Sequence, residues 1–132
     1  MMYSEFAFLN VRGMTSKIEE IKSILHQRKF AILGLAETFL NEHDGVGIFA
    51  VPGYQLIRKD RGYGYGGGLV VYIHESVQFE HLADFDNSMP ESITIKVKPS
   101  TNKSCLVSFI YRPPNSKSAW YDLAYEYFEK AV

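Results

Sequence analysis

Residues 30–37 read FAILGLAE, seven non-polar positions followed directly by the carboxylate of Glu37. A short apolar run of this kind is typical of a strand that is buried on both faces of a sheet. A carboxylate at the end of such a strand lies where open α/β sheets bind their ligands. We therefore interpret Glu37 as a candidate site residue, with an ordinary strand-end carboxylate as the plainer alternative.

The segment before this run has the pattern of a strand followed by a helix. Residues 6–11 form a short apolar run, and apolar residues recur at helical spacing over residues 16–28. Strand, helix and strand joined by short links form a βαβ unit whose two strands belong to one sheet. Asn10 and Glu37 then end neighbouring strands at one edge, where an amide orients a phosphate or a water. The alternative is that Asn10 only terminates its strand.

Short predicted strands dominate the rest of the chain. They are separated by Gly, Pro, Asn and Asp, and they cover residues 54–57, 69–73, 77–79, 92–97 and 106–111. Alternation within 92–97 predicts one solvated face. An aromatic-rich amphipathic helix is predicted over residues 116–130. The predicted fold class is α/β (α+β), organised as one structural unit because no repeat or linker interrupts the sequence.

The composition is that of a globular protein without a strong charge bias. The chain has 132 residues, of which 46% are hydrophobic, and a net charge of −1. Nucleic-acid binding would therefore rest on a local patch. The N-terminus lacks a signal-peptide pattern, and no apolar run approaches the ~20 residues of a membrane helix. We expect an intracellular protein, cytoplasmic or nuclear, with no membrane partner.

Cysteine and histidine do not suggest a metal centre. The single cysteine, Cys105, lies in an apolar run and is predicted to be a buried small hydrophobe. The four histidines show no ligand spacing and are predicted to lie on the surface or in loops.

A basic cluster precedes a glycine-rich segment. Arg58, Lys59 and Arg61 stand just before residues 62–68. Such a loop contacts a phosphate backbone, or it is a solvated hairpin with a surface ion pair. The glycines also match a dinucleotide-binding pattern, which requires a strand before it and a helix after it. Because the β-rich residues 69–73 follow instead, we predict a loop that enters a strand.

Two further candidates end the last predicted strand. In one interpretation, Tyr111 donates a hydrogen bond to a phosphate and Arg112 pairs with one. In the other, Tyr111 anchors a sheet edge.

Taken together, these segments resemble the endonuclease/exonuclease/phosphatase superfamily. The resemblance rests on LNVRG at residues 9–13, ILGLAETFL at 32–40 and YRPP at 111–114. Within that superfamily, LIRKDR at 56–61 followed by GGGLVVYI at 66–73 is similar to the apurinic-type endonuclease of non-LTR retrotransposons. Each motif is short, and their order across nearly the whole chain makes the match specific.

The resemblance implies a fold, an activity and a set of site residues. The fold is an αβ sandwich, here a partial four-layer arrangement of two packed sheets with helices outside. The activity is Mg²⁺-dependent cleavage of DNA phosphodiesters, in which the metal acts as a Lewis acid on the phosphoryl oxygen. By position, Glu37 matches the family's metal-binding glutamate, Asn10 its first-strand asparagine near the phosphate, and Tyr111 its active-site tyrosine.

The sequence lacks the later motifs of this family. A strand ending in a Gly-Asp-Phe-Asn-like motif, a second aspartate and a Ser-Asp-His-like motif would follow the last predicted helix, and none occurs in the chain. A general base has to reach the attacking water, and His74 and His81 lie too early to replace the late histidine. We therefore expect residues 1–132 to be one such domain, truncated at its C-terminus and inactive alone.

Two other interpretations stay open. A non-catalytic nucleic-acid-binding or interaction fragment would use the loop at residues 58–61. A phosphatase or lipid phosphodiesterase of the same superfamily would differ in substrate, although the basic, glycine-rich segment favours the retrotransposon branch. A half-domain would also leave apolar sheet surface and a strand edge exposed, so self-association is expected.

Overall fold

The first sheet is built on the strand–helix–strand unit that the sequence predicts. In the computed structural model, β1 (Glu5–Asn10) and β2 (Phe30–Ala36) are parallel neighbours. One turn of 3₁₀ helix (Thr15–Lys17) leads from β1 into helix α1 (Ile18–Arg28), so the predicted helix begins with a tighter turn. The βαβ prediction is confirmed. The structure describes residues 5–28, 30–61, 66–86, 91–98, 103–114 and 118–131.

Two antiparallel strands complete this sheet. They are β3 (Tyr54–Lys59) and β4 (Leu69–His74), and the strand order is β1-β2-β4-β3. A short 3₁₀ turn at Gly47–Phe49, which the sequence did not predict, lies between β2 and β3. Residues 66–68 lead directly into β4, as predicted for a loop that enters a strand, and residues 62–65 lie outside the described part of the chain.

The core of this unit lies between α1 and one face of the sheet. Alternate residues of the two central strands, Leu33 and Leu35 on β2 with Val70 and Tyr72 on β4, pack into one buried cluster. The cluster also holds Met14, Ile21, Leu25, Leu40, Phe49 and Val51. Burial of each such aliphatic side chain contributes roughly 1.5–3 kcal/mol. The interleaved residues of both strands are buried as well, which explains why residues 30–36 do not alternate with polar positions.

The chain divides into two compact units, residues 1–77 and 78–132. The second unit contains an antiparallel sheet of order β5-β6-β7, with strands β5 (Phe79–His81), β6 (Ser92–Val97) and β7 (Cys105–Ile110). Helix α2 (Ala83–Asp86), not predicted from sequence, follows β5, and helix α3 (Ser118–Ala131) follows β7. Ala124 of α3 is buried against Phe85, Ile110 and Trp120.

Three expectations for the second unit need correction. The strand expected at 77–79 lies at Phe79–His81. Thr94 of β6 is fully buried, where alternation predicted a solvated face. Its hydroxyl pairs with that of Ser108 and its backbone N–H donates to Asp86 Oδ1 at 2.9 Å, so hydrogen bonds replace the lost water. Cys105, expected to be buried, is exposed at the start of an edge strand.

The remaining boundaries agree with expectation within a few residues. The first residues of the helix expected at 116–130 lie outside the described segments, and α3 is helical from Ser118. Among the described helices, none combines the length and the apolar character needed to cross a membrane.

Candidate active site at the ends of the parallel strands

Asn10 and Glu37 meet at the carboxyl ends of β1 and β2. The register of these parallel strands places Asn10 beside Ala36, one residue before Glu37. The Asn10 amide donates from Nδ2 to Glu37 Oε2 at 2.6 Å, and Asn10 Oδ1 accepts a hydrogen bond from the backbone N–H of Arg12 at 3.2 Å. Both ends of the amide are therefore occupied, which fixes its orientation against the carboxylate.

The backbone around this pair has an unusual conformation. Arg12, Glu37 and Phe39 have φ angles of 47°, 56° and 59°, in the left-handed region. Because an L side chain in this region crowds its own carbonyl, each such residue costs roughly 1–2 kcal/mol. Residues of this kind persist where their surroundings over-determine the conformation, and they concentrate at active sites and ligand clamps. The strain supports Glu37 as a functional residue.

Backbone hydrogen bonds connect three segments at this end of the sheet. Residues 37–39, which follow β2, are bonded on one side to the segment after β1 and on the other to the segment before β4. The four bonds are Gly13 N–H to Glu37 O (2.7 Å), Met14 N–H to Thr38 O (2.9 Å), Thr38 N–H to Gly68 O (3.3 Å) and Phe39 N–H to Gly67 O (3.0 Å). The Glu37 main chain is thus held from both sides before any ligand binds.

Lys17 supports the segment after β1. Its ammonium donates to the backbone carbonyls of Val11 and Arg12, the latter at 3.2 Å. Sequence reasoning missed Lys17, because nothing in its local sequence shows that its helical turn folds back onto these carbonyls. The Lys17 ammonium therefore holds in place the loop that carries Arg12.

The donor set at this site fits a hard divalent cation. Among the described residues, no group of three or more His, Cys, Asp and Glu side chains is placed to hold a metal ion. Zinc sites need three or four such protein ligands. Mg²⁺ is usually bound by one or two carboxylates, several waters and substrate phosphates. A single oriented carboxylate, Glu37, fits the second pattern.

The basic cluster lies at the same end of the sheet. In the strand register, Lys59 at the end of β3 pairs with Leu69, and Leu69 pairs with Ala36 beside Glu37. Arg61 Nη1 lies 3.6 Å from the point where a Cβ on Gly66 would stand.

Arg58 has a structural role within this cluster. Its guanidinium forms a bidentate ion pair with Asp60, in which Nη2 lies 2.9 Å from Oδ2. Nη2 also donates a hydrogen bond to the Asn41 carbonyl at 2.8 Å. Its side chain is only 14% exposed. The ion pair envisaged from sequence is present but is largely buried, and Arg58 and Lys59 lie in β3, where the sequence predicted a loop. Contact of Arg58, Lys59 or Arg61 with nucleic acid stays a prediction.

Tyr111 and Arg112 follow β7 in the second unit. The Tyr111 backbone N–H donates to the carbonyl of Glu91 at 3.0 Å. The Arg112 guanidinium lies over the Tyr121 ring at 4.7 Å and near the Trp120 ring at 5.9 Å from the centroids. Cation–π contacts of this kind orient an arginine without removing its hydrogen-bond donors. The catalytic role of Tyr111 and the phosphate-binding role of Arg112 stay predictions.

The architecture matches solved nuclease structures. The chain superposes on the AP endonuclease LMAP from Leishmania major with a TM-score of 0.77 and 16% sequence identity, covering 95% of this chain and 47% of that one. The chain has a fragment of the fold seen in this AP endonuclease.

Two further structures share this fold. An AP endonuclease from Archaeoglobus fulgidus matches with a TM-score of 0.60 and 20% identity, over 99% of this chain and 52% of that one. The 3′ phosphatase NExo (D146N) from Neisseria, bound to a product DNA hairpin, matches with a TM-score of 0.62 and 17% identity, over 93% and 50%. The chain spans about half the length of these proteins. No protein-family model and no curated protein matches the sequence significantly.

Proposed function

We propose that the chain is the N-terminal portion of a Mg²⁺-dependent endonuclease that hydrolyses DNA phosphodiesters, of the apurinic type found in non-LTR retrotransposons. The observation that carries the proposal is the Asn10–Glu37 pair, joined at 2.6 Å where two parallel strands end. The fold shared with AP endonucleases and with a DNA-bound 3′ phosphatase supports a phosphoesterase acting on DNA.

We assign to each candidate residue the role that the resemblance implies. Glu37 would hold the divalent cation, with Asn10 keeping one carboxylate oxygen in place. When bound, Mg²⁺ supplies Lewis acidity toward a phosphoryl oxygen. Tyr111 would donate a hydrogen bond to the scissile phosphate. The cationic residues Arg58, Lys59, Arg61 and Arg112 would contact the DNA backbone, a source of affinity without sequence preference.

Water activation is not assigned to any residue of this chain. The late aspartate and histidine motifs of the resembled family do not occur in the sequence. General acid–base help is worth about 10²–10⁴-fold in rate. We therefore propose that residues 1–132 bind the metal but do not cleave DNA by themselves.

The test is nicking of supercoiled plasmid in Mg²⁺. Residues 1–132 alone should show no nicking, and fusion to the C-terminal half of the Leishmania major protein should restore it. In the fusion, Glu37→Ala should abolish nicking, and Tyr111→Phe should reduce it about tenfold, since one hydrogen bond is lost. Glu42→Ala is the matched control, because Glu42 is exposed and pairs only weakly with His43 at 3.7 Å. Nicking by the unfused chain, or an active fusion indifferent to Glu37→Ala, would contradict the proposal.

A separate observation supports self-association. Strand β1 is an edge strand of its sheet, and Phe6, Phe8 and Leu9 on it are 51%, 43% and 44% exposed. Exposed apolar edge strands pair with other chains. We infer that copies of the chain associate through β1. Sedimentation velocity should show concentration-dependent oligomers that Phe8→Lys converts to monomers, and a wild-type chain that is monomeric at all concentrations would refute the inference.

A further inference from the structure

Thr38, between Glu37 and Phe39, is buried in an unexpected way. Its side chain is 0% exposed, and its Oγ1 has no hydrogen-bond partner within the described part of the chain. Buried hydroxyl groups are normally bonded. Because the hydroxyl makes no such bond, Thr38 acts on its neighbours through its shape, and its branched Cβ leaves few rotamers open.

Gly68 lies directly against this hydroxyl. A Cβ added to Gly68 would stand 2.4 Å from Thr38 Oγ1, closer than non-bonded atoms approach, and Gly68 has a φ of +96°. Only glycine meets both conditions without displacement. Neither residue was singled out by the sequence, where the run of three glycines was the single available signal.

The contact bears on the main chain that carries Glu37. The Gly68 carbonyl accepts from Thr38 N–H, and the Gly67 carbonyl accepts from Phe39 N–H. Glu37 and Phe39, on either side of Thr38, both occupy the left-handed region. Any shift of Thr38 away from Gly68 would therefore turn the Glu37 backbone, and with it the direction of the carboxylate.

We propose that Thr38 and Gly68 form a steric clamp that aims the Glu37 carboxylate at the Asn10 amide. Both are positioning residues, since they act through Glu37. The clamp itself depends only on the geometry, whereas its consequence for a metal rests on the proposed function. Loosening the clamp should separate Glu37 Oε2 from Asn10 Nδ2 and weaken binding of a divalent cation.

The experiment compares two glycine variants in the full chain. Gly68→Ala creates the clash with Thr38. Gly66→Ala is the matched control, because Gly66 has a similar φ of +89° but its added Cβ would meet no atom closer than 3.6 Å. The side-chain amide protons of Asn10, observed by NMR with ¹⁵N-labelled asparagine, report the bond to Glu37 without any metal. Gly68→Ala should move the bonded proton toward the position of a free amide, and Gly66→Ala should leave it in place.

Two further variants keep the proposal testable if Gly68→Ala does not fold. The Thr38→Ala/Gly68→Ala double variant removes Oγ1 as it adds the methyl group, so it should restore the Asn10 signal. Thr38→Val keeps the shape without the hydroxyl and should also retain it. The Kd for Mn²⁺ should rise about tenfold in Gly68→Ala and recover in the double variant, as expected when an oriented ligand is misplaced.

The outcomes separate the clamp from the proposed function. If the Asn10 signal responds as described but the wild-type chain binds no Mn²⁺, the clamp stands and the metal site fails. Equal responses to Gly66→Ala and Gly68→Ala, loss of the signal in Thr38→Val, or no recovery in the double variant would each overturn the clamp. Mn²⁺ binding at Glu37 that survives those failures would leave the proposed function intact.

Discussion

The two ends of the four-stranded sheet are held in different ways. At the end with Asn10 and Glu37, three non-glycine residues are left-handed and the connecting segments are tied by backbone hydrogen bonds. At the opposite end a backbone hydrogen bond from Glu75 N–H to the Gly53 carbonyl (2.9 Å) is supplemented by side-chain contacts. The Tyr54 hydroxyl donates to the Phe30 carbonyl at 2.7 Å, and its ring meets Tyr72 and His74 edge-on.

We infer from this difference that one end of the sheet positions the candidate site residues Asn10 and Glu37, and that the opposite end stabilises the sheet. Of the described residues with positive φ, Gly53 belongs to the opposite end, and it is a glycine. The opposite end does carry titratable groups, because Glu19, His26, His74 and Glu75 line a groove there. They do not form a group able to hold a metal ion within the described residues. Charged residues alone therefore do not mark the site, whereas constrained backbone beside a carboxylate does.

The largest predicted effect is on stability, through Tyr72. Its side chain is fully buried, and its hydroxyl donates to the Phe49 carbonyl at 2.6 Å. Tyr72→Ala should lower the free energy of unfolding by about 3–5 kcal/mol in urea denaturation. Phe39→Ala, at the site end and only half-buried, should lower it by less than about 2 kcal/mol. Equal losses would remove the contrast between the two ends.

Tyr72 also predicts a pH dependence. Burial raises the pKa of Tyr72 above its ordinary value of 10.0, so the folded state retains a proton that the unfolded chain releases. The stabilisation is fully present below pH 10 and declines above it, by about 1.4 kcal/mol per pH unit until the folded pKa is reached. Denaturation of wild type and Tyr72→Phe between pH 8 and about 11 should diverge only above pH 10. Parallel curves would show that the phenol is not protected.

A smaller effect is predicted for Tyr54. Tyr54→Phe removes the hydrogen bond to the Phe30 carbonyl and should cost about 1 kcal/mol in the free energy of unfolding. The Asn10–Glu37 signal in NMR should not change, because the loss is confined to the opposite end. A shifted Asn10 signal in Tyr54→Phe would show that the two ends are coupled.

The smallest effect is a gain in stability at the site end. Arg12 is exposed and left-handed, with a φ of 47°. Arg12→Gly relieves this strain and should stabilise the chain by about 0.5–1 kcal/mol, while Arg12→Ala keeps the strain and should give no gain. Thermal denaturation of both variants distinguishes strain from loss of the charge, since only strain predicts a gain for glycine and none for alanine.

The regular elements could be predicted because their periodicity is local. The apolar run at Phe30–Ala36 and the helical spacing over Ile18–Arg28 each identify one element, and the short link between them requires parallel strands. That topology predicts that Asn10 lies beside Glu37. Thr94 was misjudged because alternation assumes that a polar residue faces water, and here Asp86 and Ser108 satisfy it instead.

The supporting residues of the site could not be predicted for a different reason. Lys17 and Gly68 act on segments that are distant in sequence, and their roles follow from how three strand ends are brought together. The left-handed conformation of Glu37 likewise has no local signal, since glutamate rarely adopts it. For Arg58 the sequence left open a phosphate contact or a surface ion pair, and its bond to the Asn41 carbonyl could not be predicted because it depends on a tertiary turn.

The most direct measurement is the location of a bound divalent cation. Mn²⁺ titrated into the ¹⁵N-labelled chain broadens the amide signals of nearby residues, and Mn²⁺ uses the same oxygen ligands as Mg²⁺. Signals of Asn10, Glu37 and Gly68 should broaden first, those of Tyr54 and His74 should remain sharp, and Glu37→Gln should remove the effect. First broadening at the groove of the opposite end, or broadening at Asn10 that survives Glu37→Gln, would contradict the assignment of Glu37 as the metal-binding residue.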